Sequence, residues 1–178
     1  NLYLLKEDYC LFLTDDDVVI NKIDFESIHK MIYKLQTNDE IHCLSLRMNP
    51  NINYCYPAKK KISKPSLIQQ DDTGFLWDWR QGEPFYCWGY PMSINSHLYR
   101  KDDIINLMKN GEYHDVNSLE DYINRHRMDK PYLLSFSETK IFNVQNNFVQ
   151  GPRINEVAGN NSTQQLNLSL IHISEPTR

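Results

Sequence analysis

The chain has 178 residues, 40% of them hydrophobic, which is enough for one ordinary domain with a real core. A formal net charge of −4, with no basic arm or face apart from Lys59-Lys60-Lys61, argues against nucleic acid as a partner. No apolar run approaches membrane-spanning length, and six glycines leave no phosphate-cradling Gly-rich loop.

Near the start, a short apolar strand, Tyr9 to Thr14, runs into Asp15-Asp16-Asp17, followed by Val18-Val19-Ile20. Three adjacent carboxylates repel one another unless something cationic neutralises them. The end of a strand is also where α/β sheets place their ligand crevice. Hard oxygen ligands there suit Mg²⁺ or Mn²⁺, whose shell is commonly completed by substrate phosphates. A solvated acidic turn after an edge strand is the plain alternative. If the strand continues, Asp15 and Asp17 share one side. If the chain turns, Asp16 takes over one role.

Asp24 is the expected N-cap of a helix from Phe25 to about Gln36, with Ile28, Met31, Ile32 and Leu35 on one face. Ile41 to Arg47 reads as a buried strand. Met48 to about Phe75 is rich in Asn, Pro, Lys, Ser and Gln and reads as a long loop, either functional or mobile. Trp77-Asp78-Trp79 and Tyr86-Cys87-Trp88-Gly89-Tyr90-Pro91 concentrate aromatics beside acids and turn residues. Such rings either stack on sugar faces or cover the sheet.

Phe85 to Asn95 reads as strand-like. Lys101 to Asn110 reads as a helix stopped at Gly111. Asn117 opens a further helix to about His126, with Asn117 and Glu120, or Ser118 and Asp121, as a capping box. Functionally, one of those acids is a candidate general base. Tyr132 to Phe136 and Lys140 to Val144 are two further strands, and the polar stretch that follows reads as a loose extension. Strands alternating with helices point to an α/β sheet protein. Cys10, Cys43, Cys55 and Cys87 form no CxxC pair, so structural zinc is not expected and a reducing setting fits.

In order along the chain, several segments resemble bacterial GT-A-type glycosyltransferases, similar to the inverting family 2. They are Leu11 to Asp17; Cys43 to Arg47 with Asn51-Ile52; Trp77-Asp78-Trp79; Trp88 to Ser93 running to His97-Leu98-Tyr99-Arg100; Asn117 to Glu120; and Asn143-Val144-Gln145. The resemblance implies a partial GT-A mixed sheet with flanking helices, without the N-terminal nucleotide-binding half. It implies metal-dependent sugar transfer from a nucleotide-sugar donor to a hydroxyl of a glycan or lipid-linked saccharide, in bacterial surface glycan synthesis. Asp15, Asp16 and Asp17 would hold Mn²⁺ or Mg²⁺ on the donor diphosphate. Glu120 or Asp121 would be the base, and Trp88, Gly89, Tyr90 and His97 would line the donor or acceptor pocket.

Where the family pattern has Asp-Gly-His, this chain has Asn95-Ser96-His97. The implied setting is cytoplasmic, or the inner face of the membrane. A non-catalytic carbohydrate-binding module is the alternative. The last eleven residues, Leu168 to Arg178, resemble a translated sequencing-library adapter. The expected organisation is thus a glycosyltransferase part over 1–167, loose over 145–167, and a non-native tail over 168–178, the whole being a fragment.

Overall fold

The computed structural model describes residues 6–14, 16–56 and 58–143. Asp15, the expected loose extension over 145–167 and the adapter-like tail lie outside the described residues.

The expected α/β class holds, with a mixed sheet flanked by helices. Its strands are β1 (Tyr9–Phe12), β3 (Ile41–Ser45), β6 (Leu67–Gln70), β7 (Gly74–Asp78), β8 (His97–Arg100) and β9 (Tyr132–Phe136). They lie in the order β1-β8-β3-β9-β7-β6. Two short ribbons stand beside this sheet. One pairs β2 (Asp17–Val19) with β10 (Ile141–Asn143), and the other pairs β4 (Tyr54–Cys55) with β5 (Lys60–Lys61).

Strand β8 is antiparallel to both β1 and β3, and β3 is parallel to β9, so β1, β3 and β9 run the same way. Their carboxyl ends share one edge. There a cross-strand row runs Phe12, His97, Ser45, Ser135, Phe75. Asp78 pairs with Tyr132 at the opposite edge.

Helix α1 (Phe25–Thr37) forms as its sequence dictates. The Asp24 carboxylate accepts from Ser27 N at 2.8 Å, and Met31 and Leu35 are fully buried. With Ile41, Leu44, Leu46, Leu76, Leu134, Phe136 and Ile141 they form the core on one sheet face. Alternation along β3 sends Cys43 to the other face, where Trp77, Trp88, Met92 and Tyr99 pack. Ile104 of helix α2 (Lys101–Met108) and Ile123 of helix α3 (Val116–Arg125) close that second core. Both faces of β3 are therefore covered, and all five of its residues are buried.

Three expectations need correction. The segment from Met48 to Phe75 is not one long loop: it contains β4, β5, β6 and the start of β7. The β6–β7 hairpin is closed by Asp71, whose carboxylate accepts from Thr73 N and Gly74 N, each at 2.9 Å. Lys60 and Lys61 are exposed as expected of a solvated charge run, but on strand β5 rather than a loop, where Lys60 pairs with Glu83. The strand expected over Phe85 to Asn95 lies later, at His97–Arg100, because the aromatic stretch turns back through a Gly89 N to Tyr86 O bond at 2.7 Å. Helix α3 is capped by Asp115 rather than Asn117, and Asp115 and Ser118 form the capping box. Among the described residues no helix is long and apolar enough to cross a membrane.

Candidate functional site

After β1 the chain turns: Asp17 N donates to Thr14 O at 3.1 Å, and Thr14 N donates to Asp17 Oδ2 at 3.1 Å. Strand β2 begins at Asp17 and pairs with β10, which sets Asn143 opposite Asp17. The Asn143 amide then reaches three acceptors from one nitrogen. Its Nδ2 lies 2.6 Å from Asp16 Oδ1, 3.1 Å from Asp17 Oδ1 and 3.1 Å from Thr14 Oγ1. Of the alternatives left open by sequence, the turn brings Asp16 beside Asp17. Both are half-buried.

Two carboxylates converging on one neutral donor offer hard oxygen ligands of the kind Mg²⁺ and Mn²⁺ take. Among the described residues no three His, Cys, Asp or Glu side chains group as metal ligands. Asp15, the third acid of the run, lies outside them.

Glu120 sits one turn into α3 and faces the segment that leads into β8. Its Oε1 accepts from Ser93 Oγ at 2.9 Å and from Ile94 N at 3.1 Å. Asn124, one turn further on, accepts from Met92 N at 3.2 Å and donates to Met92 O. The helix is thus stapled to residues 92–94. That segment reaches the acid-bearing edge, since Ser96 N donates to Phe12 O at 2.9 Å and Leu46 N donates to Ser96 O at 2.9 Å. Asp121 is turned elsewhere and pairs with Arg125.

His97 is 1% exposed. Its Nδ1 lies 2.7 Å from Asn95 O, and because a carbonyl only accepts, Nδ1 carries the proton. Burial, reinforced by the Arg47 charge, pushes its pKa down to about 3, so the ring is neutral. It stacks on Tyr99, whose hydroxyl donates to Ser93 O at 2.7 Å.

Trp88 is also 1% exposed and lies in the core. Its ring stands edge-on to Trp77 at 5.3 Å, and its indole N–H donates to Ile52 O at 3.0 Å. The Trp77 indole in turn donates to Trp88 O at 3.0 Å. Gly89 is buried against Glu83 O so closely that a Cβ would collide with it. Tyr90 is half-buried. The Trp77-Asp78-Trp79 motif is split from the acids by the sheet register. Asp78 accepts from Arg80 Nε at 2.9 Å at the far edge, and Arg80 holds its carboxyl below the usual range.

Arg47 and Asn143 gain importance that their residue types alone did not signal. Asn143 is set against the acids by the β2–β10 pairing, across 126 positions of sequence. In sequence Arg47 appears only as the cation closing the predicted strand and as the last residue of the Cys43 to Arg47 segment, with no role attached to it.

No protein-family model matches the chain, and neither a curated protein nor a solved structure matches it.

Proposed function

We propose that the protein transfers a sugar from a nucleotide-sugar donor to an acceptor hydroxyl, with a divalent cation held by Asp16 and Asp17. The observation that carries this reading is the sharing of one sheet edge by two features. The Asp16–Asp17 pair follows β1 there, and the segment stapled to Glu120 enters the same edge. The ordered resemblance to GT-A-type glycosyltransferases supplies the substrate class. Under that resemblance Asp15 would join the two described acids.

Mn²⁺ or Mg²⁺, when bound, would neutralise charge on the departing nucleoside diphosphate. Glu120 spends Oε1 on Ser93 and Ile94, which leaves Oε2 as the oxygen to take the acceptor proton. The acceptor oxygen forms its bond to the anomeric carbon as the bond from that carbon to the diphosphate oxygen breaks. The electron pair leaves with the diphosphate, and the proton ends on Glu120. One direct displacement needs no enzyme nucleophile.

Buried Trp77 and Trp88 have no face to offer a saccharide, which weighs against a binding module built on those rings. An acceptor that is a glycan or lipid-linked saccharide fits the same reading, in bacterial surface glycan synthesis.

The test is nucleoside-diphosphate release from a panel of nucleotide sugars, with Mn²⁺ and with chelator, for wild type and Asp17→Asn. Metal-dependent release that disappears in the variant is the expected result. Release that persists in the variant and in chelator would remove the metal from the mechanism. Absence of release from every donor, with the protein folded, would remove the transferase reading itself.

A further inference from the structure

Arg47 lies two residues beyond β3, at the same edge as the acids. Its carbonyl accepts from Thr139 Oγ1 at 3.1 Å, and Leu46 before it is tied to Ser96. Leu44 and Leu46 belong to the core under α1, whereas Cys43 belongs to the opposite core. Arg47 follows in the bend after β3, two positions past Ser45. Its charge acts on Cys43, Cys55, Cys87, His97 and Tyr99, which places it on the Cys43 side of the sheet.

The side chain is half-buried, and Arg47 Nε is fully buried without any hydrogen-bond partner. Among the described residues no carboxylate forms an ion pair with it. Arg100 shows what a satisfied interior arginine looks like in this fold. Its guanidinium donates to Ile41 O at 2.7 Å, to Asn38 O at 2.8 Å and to Leu35 O, and it meets Asp103 at 3.4 Å.

A buried donor left unmade costs about 1–3 kcal/mol, and a guanidinium presents a rigid fork that takes two oxygens of one oxyanion. A half-buried cation at the carboxyl end of the sheet, at the same edge as the acids and with part of its fork unused, is suited to an anion from outside the chain.

We propose that Arg47 binds an oxyanion of a diphosphate-bearing ligand at this edge. The choice of a diphosphate rests on the glycosyl-transfer reading; the preference for an anion rests on Arg47 itself. The role differs from that of the acids, because Arg47 holds phosphate oxygens directly and requires no metal.

The test is calorimetric titration of inorganic pyrophosphate in chelator, for wild type, Arg47→Gln and Arg47→Lys, with thermal unfolding of each protein alone. Wild type is expected to bind. Arg47→Gln should bind at least tenfold more weakly, and Arg47→Lys, which keeps charge but loses the fork, should fall between them. Neither variant should melt below wild type, since among the described residues the guanidinium makes no hydrogen bond that either substitution would break. Equal binding by wild type and Arg47→Gln, or no binding by wild type, overturns the assignment. Should Arg47→Gln fail to fold, the fall in affinity of Arg47→Lys decides, and unchanged affinity there also overturns it. Metal-dependent nucleoside-diphosphate release is scored separately with Asp17→Asn, so the two readings can fail independently.

Discussion

The Ser93 hydroxyl and the Ile94 amide both donate to a single oxygen of Glu120, at 2.9 and 3.1 Å, so one carboxylate joins helix α3 to the strand-entry segment. Glu120→Gln keeps an acceptor oxygen for both donors, and its stability in urea is expected to stay within about 1 kcal/mol of wild type. Sugar transfer should nevertheless fall by two orders of magnitude or more, on the order of what a general base contributes. Glu120→Ala instead strands the buried Ile94 N–H and should cost about 1–3 kcal/mol. Full activity in a folded Glu120→Gln protein would remove Glu120 from the chemistry and leave it a structural staple.

Asn143 is the neutral donor on which Asp16 and Asp17 converge. Asn143→Asp replaces that donor with a third carboxylate at the same point. In chelator the variant should melt below wild type, because like charges are then packed together without compensation. Added Mn²⁺ should raise its melting temperature more than it raises that of wild type, through linkage to binding. Thermal scans with and without metal check this. Identical metal responses in the two proteins would show that no cation occupies the turn.

Much of the scaffold was legible because its signals are local. Asp24 with the Ile28, Met31, Ile32, Leu35 stripe gave α1, and the apolar run from Tyr132 gave β9. Strand β8 was displaced because its buried residues, His97 and Tyr99, carry polar tips and do not read as an apolar alternation. The α3 cap slipped by two residues because Asp115, Asn117 and Ser118 all have capping chemistry, and geometry selects among them. The Asp71 turn and its Gly74 were present in sequence, but the exposed Gln69-Gln70 end of β6 hid the hairpin. At the site, the acidic run was visible from the order of residues alone. Its partner Asn143 and the split between the acids and Trp77-Asp78-Trp79 are long-range outcomes of strand register, which local pattern does not encode.

Trp88 separates a core role from a pocket role. Its ring meets Trp77 and Phe75, and its N–H is spent on Ile52 O. Trp88→Ala should cost about 3–5 kcal/mol in urea unfolding, the range for emptying a buried aromatic site. Gly89→Ala should also destabilise, since the added Cβ meets Glu83 O, a backbone atom that has little room to move. A ring that served only to contact substrate would give the reverse pattern, with KM altered and stability unchanged. Parallel urea curves and kinetics for Trp88→Phe distinguish the two.

Two interior histidines make stability depend on pH. His42 Nε2 lies 2.9 Å from Met128 O and His97 Nδ1 lies 2.7 Å from Asn95 O, so both rings are neutral donors to carbonyls. Burial pushes their pKa values from 6.5 down to about 4 and about 3. Below pH 6.5 the unfolded chain takes up protons that the folded one refuses, so stability is fully present above that value and is lost as pH falls towards the folded values. Each histidine contributes a slope of up to about 1.4 kcal/mol per pH unit in that window. His97→Gln, whose amide can still donate to a carbonyl, should flatten the decline by about one histidine's share. Urea unfolding of both proteins across the window measures it. Equal slopes would mean that His97 stays neutral in the unfolded chain as well, or titrates alike in both states, and the acid sensitivity would then have to come from His42 and the carboxylates.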